Sequence, residues 1–330
     1  MCMWFLRSKK VEKKLVSFVI PCYNSTNTLD EVVFQIEDVM IHKLTKYEYE
    51  IILVNDCSPN GTTYNKICDI AKGNNRVKGI NLARNFGQPS AVMAALNHAK
   101  GDYVVCGDDD GQTPFSELPR LFEKIDEGYD AVEARFVEHE KRSMFRKFGT
   151  FMNESMQSWL IDKPKGVVLT TFWLVKRFVV DEMCKYPNSH PYLGGLILRS
   201  TKNVCNVDVK KNERLRGKSG YNLKKMIELF LNGFTTFSAK PLRMTMFLGL
   251  FIGFIGVLCG VITIVRKLIT PAISAGYSSM MAVILILFGI LFVMLGIFGE
   301  YIGQTYIALN QAPQFVIRDK INFEEDEKNE

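Results

Sequence analysis

Histidine is scarce in this chain. The four present, His42, His98, His139 and His190, share no metal-ligand spacing, and no HExxH occurs, which excludes a zincin-type centre. Eight cysteines (Cys2, Cys22, Cys57, Cys68, Cys106, Cys184, Cys205 and Cys259) form no CxxC. Several sit inside apolar runs, so they read as reduced core residues rather than a disulfide framework or a zinc ribbon. GxGxxG is absent, which argues against a dinucleotide fold. RGKSGY (216–221) resembles the end of a P-loop, but the Walker pattern needs glycine where Asn212 stands. No basic stripe interleaved with aromatics appears, and the net charge of +6 is mild, so nucleic acid is not an expected partner. MCMWFLRSKK at the start has too short an apolar stretch for a signal peptide.

Charge is also missing from two long stretches, 244–265 and 278–299. Each is 22 residues long, enough for a helix of about 33 Å, which matches a bilayer core. The connection RKLITPAISAGY is short, so the expectation is a transmembrane hairpin over 241–305 with both outer ends on one side. A buried core hairpin is the competing reading. Lys240, Arg243, Arg318 and Lys320 lie on the outer-end side, whereas Arg266 and Lys267 fall on the other. With no export signal, that places the large N-terminal region and the C-terminal tail in the cytoplasm, at the inner (plasma) membrane. Basic residues gather between Lys202 and Arg243, suiting an anionic membrane surface, anionic substrates or simply a solvated face. Glycines recur on one face of each span (Gly249, Gly253, Gly256 and Gly260; Gly289, Gly296, Gly299 and Gly303), for close packing within the hairpin or between copies.

Ahead of these spans, four β-branched runs stand out: LVSFVI (15–20), IILV (51–54), VKGINL (77–82) and YVVC (103–106). Helix-like segments over 28–41, 62–72 and 90–99 separate them. The alternation predicts βαβ units and a parallel sheet covered on both faces. Polar residues follow every strand, and ligands bind such sheets beyond the carboxyl ends of strands. Asp56, Asn85, Asp108, Asp109 and Asp110 therefore gather at one edge. Three successive aspartates repel one another unless a cation lies between them. In an extended segment Asp108 and Asp110 share a side, and two hard oxygen ligands two residues apart suit Mg²⁺ or Mn²⁺. A solvated acidic loop is the alternative.

VSFVIPCYNS, EIILVNDCSPNGT, INLARNFGQPSAVMAALNHAKGDYVVCGDDDGQTP and ERLRGKSGYN, in that order, resemble the family-2 glycosyltransferases. The likeness is to polyprenyl-phosphate glycosyltransferases related to dolichyl-phosphate mannose synthase, over about 14–240, and the hairpin resembles bacterial members. The resemblance implies a GT-A fold, a Rossmann-like nucleotide-binding α/β domain over 14–240 after a tail at 1–13. A two-helix transmembrane hairpin and a cytoplasmic tail at 306–330 follow it. It implies inverting transfer of a sugar, such as a UDP-hexose, from a nucleotide-sugar to a polyprenyl phosphate such as undecaprenyl phosphate. It also implies a homo-oligomer such as a tetramer.

Carried over position by position, Pro21, Tyr23 and Ser25 match the first nucleotide loop, where the family usually has glutamate in place of Ser25. Asp56 matches the base-recognising residue. Asp108 and Asp109 lie where the nucleotide is held, and Asp110 and Gln112 match the metal positions. Arg135, Arg214 and Lys218 fall where basic residues approach the phosphates, and Asp110, Arg214 and Lys218 would carry the catalysis. The family loop usually reads DADLQDP, so Asp109, Gly111 and Thr113 depart from it. TTFWL (170–174) stands where GDFRL is frequent, with Thr171 replacing an aspartate sometimes assigned as base. A phosphate acceptor, with its second pKa of about 6, needs no such base. QxxRW, carried by processive synthases, is absent. A polysaccharide-extending enzyme and a catalytically weakened membrane partner protein are the rival readings. Helices over 142–160 and 221–237 are candidates for bringing the lipid phosphate near.

Overall fold

The computed structural model describes residues 13–137, 158, 163–164, 166–189, 191–212, 276–309 and 313–323, with isolated positions between 245 and 269. The chain divides into two compact units, one made of residues 1–220 with 311–330 and the other of 221–310.

In the first unit the β-branched runs pair as the sequence predicts. Strands β1 (Leu15–Cys22), β2 (Glu48–Asn55), β3 (Val77–Leu82) and β4 (Tyr103–Cys106) are mutually parallel. Helices α1 (Leu29–His42), α2 (Thr62–Gly73) and α3 (Gln88–Leu96) form the crossovers, within about two residues of the expected bounds except at the C-terminal end of α3, which stops three residues early. Beyond β4 come α4 (Leu118–Asp126), β5 (Ala131–Phe136), β6 (Trp173–Lys176), α5 (Arg177–Cys184), α6 (Leu193–Ser200) and β7 (Val204–Val209). With β8 (Ile317–Ile321) at one edge, the sheet of the described residues has eight strands in the order β7-β5-β6-β4-β1-β2-β3-β8. Strand β6 is antiparallel to both β4 and β5, and β7 is parallel to β5, so the carboxyl ends of β1–β5 and β7 open on one edge.

Both faces are covered, which explains why the central strands are apolar without alternation. On one face Val16, Phe18, Ile51, Leu53 and Val105 meet α1, α2 and α4 through Ile36, Ile67 and Phe122. The other face packs α3, whose residues Ser90–Leu96 are all buried. Each fully buried Phe, Ile or Leu contributes about 1.5–3 kcal/mol relative to exposure. At the amino edge, Glu50 binds Ser17, the Lys100 backbone N–H at 2.8 Å and the Lys78 ammonium at 2.6 Å. That cluster ties three strands and the approach to β4 together away from the site.

The segment expected to be a tail, 306–330, contributes strand β8 (Ile317–Ile321), antiparallel to β3 at the sheet edge. Asn322 then donates to the carbonyls of Ala71 (2.6 Å) and Val77 (2.8 Å), fixing the strand's end against the end of α2. Gln314 donates to the Asn188 carbonyl at 2.8 Å, fixing its start.

In the second unit, α7 (Tyr277–Leu309) is 33 residues long, about 50 Å at 1.5 Å per residue. Its side chains are described only in part, and on the described residues alone no helix is long and apolar enough to cross a membrane. The first expected span, 244–265, is described only at isolated positions, and the candidate helices at 142–160 and 221–237 lie outside the described residues, apart from Ser158.

Candidate active site

Gly107 sets the geometry of the acidic turn after β4. A Cβ there would meet the Phe115 ring at 2.7 Å, so only glycine lets the backbone pass over that buried phenylalanine. Four residues on, Gly111 has φ 78°, a left-handed conformation that turns the chain back. The aspartates are thus not in one extended segment, and their side chains divide among three neighbours.

Asp108 accepts from Gln88 Nε2 at 2.9 Å and from the Thr171 hydroxyl at 2.6 Å. Its backbone N–H donates to Thr113 Oγ1 at 2.9 Å. Asp109 accepts from the Tyr23 backbone N–H at 2.9 Å, and its carbonyl accepts from Thr28 Oγ1 at 2.6 Å. Asp110 accepts from the Gln112 backbone N–H at 3.0 Å, closing the turn. The triplet therefore clasps the loop after β1, the start of α3 and the entry to β6 at one point.

Burial and mutual repulsion both act on the aspartates of this turn. Burial pushes the Asp109 carboxyl up to about 6, against the Tyr23 N–H and the nearby Ser25 hydroxyl, while repulsion from Asp108 and Asp110 adds to the rise. Burial also raises Asp108; Thr171, Gln88 and the positive charge of Lys211 oppose this, whereas Asp110 reinforces it. A dication among these oxygens would relieve that repulsion. Among the described residues no group of three or more His, Cys, Asp or Glu converges as a metal site.

The remaining expected residues fall as follows. Pro21 is buried in the last turn of β1. Tyr23 is 49% exposed. The Ser25 hydroxyl is buried and makes no hydrogen bond of normal geometry to a described residue, though it lies near enough to Asp109 to favour its charge. Asp56 accepts from the backbone N–H groups of Phe86 (2.7 Å) and Gly87 (2.9 Å), so its carboxylate organises the β3–α3 loop. Burial raises its pKa and those two bonds oppose the rise. Arg135, next to last in β5, lies at the same edge in an ion pair with Asp208 of β7. Arg214 and Lys218 lie outside the described residues.

Four residues that are not among the expected site residues reach this region. Gln88 and Lys211 act on Asp108, as above, and the Asn212 backbone N–H donates to the Gln112 carbonyl at 3.1 Å. The fourth is Glu133, midway along β5 and 0% exposed. Its Oε2 accepts from the Thr170 backbone N–H at 2.8 Å and from Thr170 Oγ1 at 3.2 Å, while Oε1 has no partner among the described residues. Burial pushes its pKa up to about 8. Glu133 thereby fixes Thr170 while the neighbouring Thr171 holds Asp108. A lone glutamate in AVEARF gave no hint of this, because its partner is 37 residues away.

Residues 17–184 match the family model for glycosyl transferase family 2, and residues 240–305 match the GtrB C-terminal hairpin. An uncharacterized glycosyltransferase of Bacillus subtilis (strain 168) is 32% identical over 93% of this chain and 94% of its own length. The undecaprenyl-phosphate 4-deoxy-4-formamido-L-arabinose transferase of Proteus mirabilis (strain HI4320) is 32% identical over 98% of both chains. Among solved structures, glucosyl-3-phosphoglycerate synthase of Mycobacterium tuberculosis with Mn²⁺, uridine diphosphate and phosphoglyceric acid superimposes with a TM-score of 0.49. It is 17% identical over 68% of this chain and 77% of that one.

Proposed function

Since the chain belongs to glycosyl transferase family 2, we propose that it transfers a sugar from a nucleotide-sugar, a UDP-hexose in the first instance, to a polyprenyl phosphate such as undecaprenyl phosphate. One observation carries the reading: the β4 aspartates sit at the carboxyl edge of the parallel sheet, with Asp109 bonded to the loop after β1. The full-length similarity to an undecaprenyl-phosphate sugar transferase supports the acceptor.

Tyr23 and Asp56 would flank the base, and Pro21 and Ser25 would line the loop beneath it. Asp108 and Asp109 would hold the ribose and diphosphate side of the donor. Asp110 and Gln112 would hold Mg²⁺ or Mn²⁺, which when bound neutralises charge on the diphosphate. Arg135, Arg214 and Lys218 would approach the same phosphates, the latter two stabilising the leaving group. An oxygen of the lipid phosphate forms the new bond to the anomeric carbon. The bond from that carbon to the diphosphate oxygen breaks, its electron pair leaves with the nucleoside diphosphate, and configuration inverts. No proton need be removed from an ionised phosphate, which fits Thr171: its hydroxyl donates to Asp108 and serves as a tether.

The chain leaves the first unit after residue 220 and rejoins it at 311, ahead of β8. A segment that starts and ends on one unit crosses a membrane an even number of times. We take it as a two-span hairpin at about 244–265 and 278–299, with the catalytic unit cytoplasmic and the protein a homo-oligomer. The experiment is radiolabelled transfer from a panel of UDP- and GDP-sugars into organic-extractable lipid, with undecaprenyl phosphate and Mg²⁺ or Mn²⁺ present. Labelled product that survives as a sugar phosphate lipid supports the reading; incorporation only into water-soluble polymer would replace it with chain extension.

A further inference from the structure

A line of side chains crosses the sheet from β8 to the loop after β1. The Asn24 backbone N–H donates to Ser58 Oγ at 3.1 Å, and Ser58 Oγ–H donates to Asn55 Oδ1 at 2.6 Å. Asn55 Nδ2 donates to Asn81 Oδ1 at 2.8 Å, and Asn81 Nδ2 donates to Asp319 Oδ2 at 2.9 Å. Ser58, Asn55 and Asn81 are 6%, 2% and 8% exposed.

The two ends dictate the direction of every bond between them. Asn55 Oδ1 also accepts from the Ser58 backbone N–H at 3.2 Å, a group that can only donate. Its amide nitrogen must then face Asn81, which offers its oxygen in return. Asn81 is left with its own nitrogen for Asp319, whose ionised carboxylate can only accept. All the donors therefore point toward one negative charge, an arrangement in which each bond polarises the next. The chain's other end is Asn24, at φ 58°, between Tyr23, whose N–H holds Asp109, and the buried Ser25.

We propose that β8 is a working part of the donor site: Asp319, through Asn81 and Asn55, sets the position of the Asn24 turn and hence of the loop that receives the nucleotide. Asp319 and Asn81 are positioning residues, and the inference rests on the nucleotide-sugar reading of that loop. It gives the strand following the 221–310 unit a role that edge protection alone does not need. Covering β3 requires only backbone pairing, and any side chain facing Asn81 would do.

The test is UDP binding with Mn²⁺ to purified full-length protein in detergent, by calorimetry, together with donor KM and kcat. Asn81→Ala leaves the Asn55 amide buried without its acceptor, and Asp319→Ala removes the acceptor for the Asn81 amide. Each should weaken UDP binding and raise donor KM by about five- to tenfold at unchanged kcat. Asp319→Asn keeps an acceptor oxygen and should stay within about twofold of wild type. Arg318→Ala, on the same strand but with its side chain bonded among the described residues only to the Ala83 carbonyl, should leave binding unchanged. Should Asn81→Ala fail to fold, Asp319→Ala at the exposed edge carries the test. Normal UDP binding by Asp319→Ala, or an equal loss in Arg318→Ala, overturns the proposal while leaving the function intact. A wild type that binds neither UDP nor GDP overturns both.

Discussion

Replacing Glu133 by glutamine tests the buried site electrostatics without touching substrate. The side chain is 0% exposed, and burial raises its pKa from 4.5 to about 8. The folded protein thus binds this proton more tightly than the unfolded chain does. The resulting stability is fully present below about pH 4.5 and is lost as pH rises through about 8. Over that window it falls by about 1.4 kcal/mol per pH unit. By pH 7, about 2.5 units above the unfolded value, keeping the proton costs wild type about 3 kcal/mol. Glutamine does not titrate, and its oxygen can still accept both bonds from Thr170. Its NH₂ meets the place where Oε1 has no partner among the described residues, a pH-independent offset of about 1–3 kcal/mol. The slope is therefore the decisive quantity. Urea unfolding of the full-length protein in detergent, at pH 5, 6 and 7, should show Glu133→Gln gaining on wild type by about 3 kcal/mol across the series. Other groups titrate in both proteins and cancel in the difference. Parallel pH profiles for the two proteins would refute the argument, showing that Glu133 is ionised in the fold.

Thr171→Val removes one donor from Asp108 but no base, so turnover should stay within about tenfold of wild type, or about 1.4 kcal/mol. A thousandfold loss with folding and UDP binding intact would instead make Thr171 part of the chemistry. The rate should fall below about pH 6 as the acceptor phosphate gains its second proton, read from kcat/KM for the lipid; a flat profile from pH 7 to 5 contradicts a phosphate nucleophile. Glu50→Ala strands the Lys78 ammonium, which is 16% exposed, and should lower stability by about 3–5 kcal/mol in denaturant unfolding. An effect under 1 kcal/mol, on the order of a solvated surface pair, would mean that water reaches this cluster. Cysteine labelling from outside intact cells should reach a probe at Ser274 and miss one at Asn329. Labelling in the reverse pattern would invert the topology.

The central sheet is legible because β1–β4 are short β-branched runs that must be covered on both faces, and each crossover helix fits between them. The strands beyond β4 are not. WLVK and VCNVDV are too short and too mixed to stand out, and they join the sheet only because β5 and β6 find long-range partners in register. Strand β8 reads IRDKI, with its middle three residues exposed. Such polarity is normal for an edge strand but reads as tail. The acidic turn was visible as a cluster, yet the division of its three side chains was not. It depends on φ 78° at Gly111 and on partners at Tyr23, Gln88 and Thr171 that come from three separate segments, two loops and the start of α3. Glu133 and the Asn55–Asn81–Asp319 line are contacts across strands, and a linear sequence does not encode them as spacing.

The measurement that bears most directly on the central claim is lipid-linked product formation by wild type and Asp110→Asn side by side. Purified full-length protein is given radiolabelled nucleotide-sugar, undecaprenyl phosphate and Mn²⁺, and the organic phase is counted. Wild type should yield an extractable sugar phosphate lipid. Asp110→Asn, folded and membrane-bound, should yield none above background. Near-normal product from Asp110→Asn would contradict the account of the acidic turn. No product from wild type with any UDP- or GDP-sugar would contradict the proposed function.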